Sequence, residues 1–511
     1  MRSVIAALIL SMSFACGVSP AQAEWRRAVS THFIVYSQGS PEEVREAAER
    51  LERFDGLLRR LSPAPARESP IKLTVFMPRT TAAVASLVGG GRGVAGFYRG
   101  VVAGPFIVAP RQGPSRTFAA DTILFHEYAH HFMLQNFSTA YPPWFVEGYA
   151  ELLATTRFER DGSITIGAFA AHRTRELALP VPPLRELLLR NQRQLSGAYR
   201  FGFYANSWFL THYLVLAEAR RGQLGRYIGL IGSGRSADQA AEEAFGGIEA
   251  LQRDFLRYRR AARIPIVTIR FEEAPATGPI VVEALSPSEE SLLWHQARYR
   301  RGMERDDIPG FARQVRARTG ETPSDPAALQ LLADVESWAG NLDEAERAVD
   351  ALLALRPDSP RALMRKGQIE IERLDRGRIS EPSRWTAARE WLRRANRADA
   401  DDPLILLLYY RSFERQGGRP PSNALAGLAR AFELVPQDFS VRGRYAAALI
   451  HARRYSEAIT VLAPIAYSAH AEASGERAAR MIDAIRGLAE GAEGPVEVAP
   501  ADPPDDGPDQ D

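Results

Sequence analysis

The sequence predicts a two-part fold: an α+β N-terminal unit followed by an all-α array of stacked helix pairs. Three observations predict it. Short β-rich segments come first and alternate with amphipathic stretches, and longer helical patterns follow them. From about residue 286 to 490 helix follows helix with no strand signal between them. Within that stretch one order of residues recurs. Gly340-Asn341-Leu342-Asp343-Glu344-Ala345 opens an apolar-periodic run into Leu355-Arg356-Pro357-Asp358, and Arg453-Arg454-Tyr455-Ser456-Glu457-Ala458 repeats the opening.

Composition bounds the rest. The chain has 511 residues, of which 45% are apolar and 25% charged, enough for two or three packed units and too apolar for wholesale disorder. Its one cysteine, Cys16, excludes a disulfide framework and any cysteine-based zinc ribbon. The net charge of +2 hides a polarity. Residues 491–511 carry acidic and no basic side chains, and the body carries an arginine excess with only Lys72 and Lys366 as lysines. A basic body of this kind favours anionic partners; the bland reading is a GC-rich coding bias with arginines on solvated faces. Nucleic-acid binding is a poor reading, because no basic stripe is interleaved with aromatics.

The elements follow in order. Arg2, the apolar run Val4 to Leu10 and the ending Ala21-Gln22-Ala23 make a secretory signal over 1–23, cleaved after Ala23. The run is too short for a good membrane span, so no transmembrane span is expected after cleavage. Cys16 is a lipid-attachment candidate, but Ser13-Phe14-Ala15 lack the expected leucine three positions upstream. The address is an exported compartment, most simply a bacterial periplasm.

Residues 24–262 form the first unit. Strands are expected at 31–36, at 71–76, and at 94–98 and 106–108 around a Gly-rich turn, with helices at 41–61 and 80–88 between them. A long helix runs from about Thr117 to Asn136, and Tyr141-Pro142-Pro143 breaks the chain and starts another. Helices resume near 184–190, 204–219, 222–232, 236–245 and 247–262. Residues 263–285 read as a short β connector with strands at 265–271 and 279–283. Residues 286–490 hold the repeats, at an interval of roughly 38 to 41 residues, somewhat above the roughly 34 of an ideal tetratricopeptide repeat. This stretch resembles a tetratricopeptide array with insertions, in which neighbouring helix pairs stack into a solenoid. An irregular helical bundle is the other reading. Residues 491–511 read as a disordered acidic tail.

The chemistry concentrates in His126-Glu127-Tyr128-Ala129-His130. Apolar residues flank it on both sides, placing it on a largely buried helix. A spacing of four puts His126 and His130 on one face, where two imidazoles can bind one Zn²⁺. Glu127 flanks that face and suits a general base for a metal-activated water. Catalytic zinc needs a third protein ligand, and the helix Trp144 to Glu151, folded back after the proline turn, offers Glu147 and Glu151 on one face. A helix carrying two histidines and no metal is the bland alternative.

His126-Glu127-x-x-His130 followed by Glu147-Gly148-x-Ala150-Glu151 resembles the gluzincins, the peptidase MA-like zinc metallopeptidases. The resemblance covers about residues 30–260 and implies a zincin-like fold and hydrolysis of peptide bonds in a protein or peptide substrate. It implies Glu147 as the third zinc ligand and Glu151 as a carboxylate that orients a ligating histidine. Such enzymes need a donor for the oxyanion, and Tyr204 is the candidate, with a core or interface aromatic as its equal alternative. No exopeptidase signature holding a substrate amino terminus is visible.

Weaker candidates complete the set. His131 reads as a hydrogen-bonded structural histidine, and His172, with Arg173 and Arg175, as a surface-loop histidine or a substrate contact. Tyr98 is placed beside the cleft, and either 94–98 or 106–108 is expected to offer the edge strand that pairs with an extended substrate. Two function classes result. One is an exported zinc metallopeptidase whose repeats recruit a substrate or an envelope protein partner. The alternative is a non-catalytic periplasmic scaffold with a zinc-binding but inactive zincin-like unit.

Overall fold

In the computed structural model, residues 25–64, 69–89, 94–137, 139–190, 192–273, 277–466 and 472–489 are described. The leader-like segment 1–23, with Cys16, and the acidic tail lie outside the described residues.

The chain opens with β1 (Trp25–Val29), β2 (Phe33–Gln38), α1 (Pro41–Leu61), β3 (Leu73–Met77) and α2 (Thr81–Leu87). Then come β4 (Phe97–Arg99), β5 (Phe106–Val108), α3 (Ala120–Asn136) and α4 (Pro143–Ala154). Helix α1 starts where the local chemistry directs it. Ser40 and Glu43 form a capping box, Pro41 fills the first turn, and Val44, Ala48, Leu51, Phe54 and Leu58 form one buried face. Each fully buried leucine or phenylalanine on that face contributes about 1.5–3 kcal/mol.

Short elements follow: β6 (Arg157–Phe158), β7 (Ile164–Ile166), α5 (Thr174–Leu177), α6 (Leu184–Leu189) and α7 (Gly197–Phe201). A helical layer then runs through α8 (Phe203–Leu216), α9 (Gln223–Gly232), α10 (Ala237–Phe245) and α11 (Ile248–Arg259). Two strands close this part, β8 (Val267–Ile269) and β9 (Val281–Ala284).

The main sheet is mixed, in the order β4-β5-β3-β2-β1-β9. Strands β2, β3 and β5 are parallel, and β4, β1 and β9 run antiparallel to their neighbours. A second sheet has the order β6-β7-β8. The two strands of 263–285 therefore do more than connect. Strand β8 completes the small sheet on β7, and β9 completes the large sheet on β1. Strand β1 has no alternating apolar pattern. Its arginines are held by distant partners instead: Arg26 Nε donates to Gly39 O at 3.2 Å, and Arg27 pairs with Glu283 at 2.6 Å.

The rest is helical: α12 (Pro287–Arg301), α13 (Ile308–Thr319), α14 (Pro326–Trp338), α15 (Leu342–Leu355), α16 (Pro360–Arg376) and α17 (Pro382–Ala398). It ends with α18 (Pro403–Arg415), α19 (Ser422–Leu434), α20 (Phe439–His451), α21 (Tyr455–Ala466) and α22 (Glu472–Ala489). The leading helices of successive pairs start at Pro326, Pro360, Pro403 and Phe439, so the interval is 34, then 43, then 36 residues. Their starts share one device, an N-cap Asp325, Ser359, Asp402 or Asp438 whose side chain accepts a backbone N–H of the first turn. The long middle interval comes from the 17-residue helices α16 and α17.

The array is docked on the N-terminal region at both ends. At its start, Trp294 meets Trp25 edge-on at 5.5 Å, and Arg300 Nη1 donates to Thr74 Oγ1 at 3.0 Å. At its end, Leu449, Leu462, Ile482 and Ile485 share one apolar cluster with Tyr213, Tyr227 and Phe245. Among the described residues no helix is long and apolar enough to cross a membrane.

Candidate metal centre

Helix α3 buries residues on nearly every side between Ile123 and Met133, which is why His130 and His131 are buried and His126 half-buried. Pro142 and Pro143 end the link after α3 and start α4, which returns against it. Helix α4 then packs on α8 at a distance that only glycine permits. A Cβ on Gly148 would stand 2.1 Å from Thr211 Oγ1 and 2.4 Å from Ser207 O. This contact brings Glu147 on α4 and Tyr204 on α8 to the same place.

His126, His130 and Glu147 offer one ligand atom each, all within 4.8 Å of one another. The two Nε2 atoms are 3.1 Å apart, and each lies 3.5 Å from Glu147 Oε2. Four-coordinate zinc with bonds of about 2.0–2.2 Å separates its ligands by about 3.3–3.6 Å, so this triangle has the size of one tetrahedral face. Two imidazole nitrogens and a carboxylate oxygen are also a donor set that zinc accepts. The residues fit the ion.

Glu151, one turn beyond Glu147, is 1% exposed. It lies 3.1 Å from His126 Nδ1 and 2.8 Å from His172 Nε2, and it accepts two bonds from Arg173. A hydrogen bond from Nδ1–H to Glu151 leaves the His126 Nε2 lone pair facing His130 and Glu147. Burial raises the Glu151 carboxyl, but Arg173 and the two imidazoles hold it well below the usual range. Burial likewise disfavours charge on His126, yet Glu147 and Glu151 push it up to about 10 in the metal-free protein.

His172 is not a surface-loop histidine. Its side chain is 4% exposed, because the turn Ala171–Arg173 folds over α4 and stacks His172 on Phe118 at 5.2 Å. Arg173 reaches further and lies over the Tyr204 ring at 4.9 Å. Tyr204 itself stands 6.4 Å from the His126 ring. The charge of Glu147, with burial, keeps its phenol protonated, against the opposing charge of Arg173. Arg175 is exposed. The local sequence carries no signal for the His172 and Arg173 contacts, since both depend on a carboxylate about twenty residues away.

Glu127 is half-buried beside the triad, and Gly96 lies against it: a Cβ there would be 3.3 Å from Glu127 Oε1 and 2.5 Å from Ile123 Cγ2. Gly96 leads into β4, which is an edge strand, whereas β5 is paired on both sides. Of the two candidate edges, 94–98 is therefore the one beside the site. Tyr98 on β4 faces His131, with its hydroxyl 3.2 Å from Nδ1. Burial, with the charge of Arg59, holds His131 down to about 3.

Residues 326–369 match the tetratricopeptide repeat family. That stretch is α14, α15 and the first part of α16. Two solved structures are also similar to part of the chain. TTC0263, a thermophilic TPR protein in Thermus thermophilus, has 19% identity and a TM-score of 0.32, covering 38% of this chain and 97% of its own. The MamA RS-1 ArsTM double mutant has 14% identity and a TM-score of 0.25, covering 40% and 97%. No curated protein matches the chain. The molecule is thus a mixed-sheet N-terminal region carrying a His-His-Glu cluster, followed by a tetratricopeptide-like solenoid.

Proposed function

We propose that the chain is a zinc-dependent hydrolase of peptide bonds, zincin-like in its N-terminal region, whose tetratricopeptide-like array engages protein. The observation that carries this reading is the convergence of His126, His130 and Glu147 with Glu127 alongside. When bound, zinc would supply Lewis-acid polarisation of the scissile carbonyl and a lowered pKa for water. His126, His130 and Glu147 would hold the ion, and Glu151 fixes the His126 tautomer through Nδ1. Glu127 takes the proton of the attacking water and returns it to the leaving amine. The Tyr204 hydroxyl, kept protonated by its surroundings, donates to the developing oxyanion. The leader-like segment 1–23 favours an exported, periplasmic setting, with envelope proteins or peptides as substrates or partners.

A second reading is an interaction protein whose N-terminal region binds zinc without catalysis. The repeat match at 326–369 favours it more than it favours catalysis. Elemental analysis of the purified chain, with His126→Ala as control, separates the metal question from the chemical one. About one zinc per chain, lost in the control, is expected. Glu127→Gln keeps the zinc and loses cleavage if the first reading is right. If Glu127→Gln cuts a responsive peptide as fast as the native chain, Glu127 is not the general base; if the zinc-loaded native chain cuts no peptide, the interaction reading stands. No zinc in a folded, zinc-reloaded chain sinks the metal site in both.

A further inference from the structure

One five-residue segment of the array touches both the turn that follows the edge strand beside Glu127 and the helix that carries the two histidines. Residues 434–438 join α19 to α20. Asp438 uses its two oxygens differently: Oδ1 accepts the Val441 N–H at 2.7 Å and caps α20, whereas Oδ2 accepts the Val102 N–H at 2.5 Å. Val102 belongs to the turn 100–104 between β4 and β5, and its side chain is buried among Leu407, Tyr410, Leu428 and Val435 of the array. Gly100 lies against Gln437, where a Cβ would meet Cγ at 2.6 Å. Arg361, at the start of α16, donates to Ala103 O at 3.3 Å and pairs with Asp402 at 2.8 Å. On the other side, Gln135 in the last turn of α3 donates to Leu434 O at 3.2 Å.

Strand β4 has three residues and among the described residues pairs only with β5, so its own ladder gives it little rigidity. Its position nevertheless sets the clearance at Glu127, because Gly96 sits directly against that carboxylate. We propose that the tetratricopeptide-like array acts in cis as a brace on the candidate site. In this arrangement Asp438 is a positioning residue that fixes the β4–β5 turn and, through it, the distance of the edge strand from Glu127. The inference about the strand stands on geometry; its catalytic consequence rests on the hydrolase reading above.

The test compares Asp438→Asn with Asp325→Asn in the full, zinc-loaded chain. Both positions are N-caps, and asparagine caps a helix about as well as aspartate. Asp325 accepts the Ala328 N–H at 2.9 Å and caps α14. At 438, one atom of the amide becomes a donor, so the cap and the Val102 N–H can no longer both be served. Amide hydrogen exchange over 97–104 is expected to quicken about tenfold in Asp438→Asn and to stay unchanged in Asp325→Asn, with zinc content equal to native. Arg361→Gln, which loosens the same turn from another repeat, is expected to quicken it about threefold and serves if Asp438→Asn does not fold. Native protection of 97–104 in Asp438→Asn, or equal loss in Asp325→Asn, overturns the brace. On any peptide the native chain cleaves, Asp438→Asn is expected to raise KM more than it lowers kcat, and a kcat loss alone overturns the positioning role. If the zinc-loaded native chain cleaves nothing, the hydrolase reading fails while hydrogen exchange still decides the brace.

Discussion

Both halves of the molecule bury charge, and they do so in opposite ways. In the array, buried arginines end on groups the chain supplies. Arg442 is 1% exposed, with Nε donating to Pro436 O at 2.7 Å and Nη1 to Val461 O at 3.1 Å, and burial pulls it down to about 10. Arg389 ends on Ser412 and Gln416, and Arg365 on Asp334 at 2.6 Å. At the candidate metal centre, Glu147 is buried against two imidazoles whose Nε2 atoms face each other. The array's cations tie one helix to the next. The site's donors converge on a point, which is how a protein presents itself to a cation from outside.

Four measurements sharpen or break this contrast. Glu147→Ala should lower zinc affinity by more than about 100-fold, beyond the 10–100-fold usual for an outer-shell change, as read by competition titration. Unchanged affinity would mean that the donors do not act together. Gly148→Ala should cost about 3 kcal/mol in urea unfolding, at the upper end for overpacking, because the neighbours it would strike include backbone. Zinc at about 100 times its Kd should stabilise the native chain by about 2.7 kcal/mol, an effect removed by chelator and absent in Glu147→Ala. Arg442→Met should cost about 2 kcal/mol, through two carbonyls left without their donor, and leave zinc content untouched. A zinc loss in Arg442→Met would show that the two regions are not separable in this way.

What the sequence made legible was whatever local chemistry encodes. Helix α1 is bounded by its own cap and proline, and α9, α10 and α11 follow their apolar periodicity, whereas α8 is buried almost all round. The cluster on α3 and α4 was visible because four residues make one helical turn and a proline pair turns the chain back. Strand β1 was not visible, since Trp25-Arg26-Arg27-Ala28-Val29 has charges where a half-buried strand alternates, and only β9 and distant carboxylates make sense of them. The role of His172 and Arg173 was hidden for the same reason: their partner is Glu151, and no spacing rule links them. The repeat interval averaged near its expected value, but the individual helix lengths in α16 and α17 moved single boundaries.

The pairing of β8 and β9 bears on how this molecule can be divided. A fragment ending at residue 262 keeps the His-His-Glu cluster but strips the outer partner from β1 and from β7, leaving two raw sheet edges. A fragment starting at 286 keeps the helices but loses the surface on which Trp294 and Ile485 rest. The two parts can be told apart by eye and by chemistry, yet a cut at 262 or at 286 strips each of contacts it makes here. A graft that is to fold must take residues 263–285 with the N-terminal part.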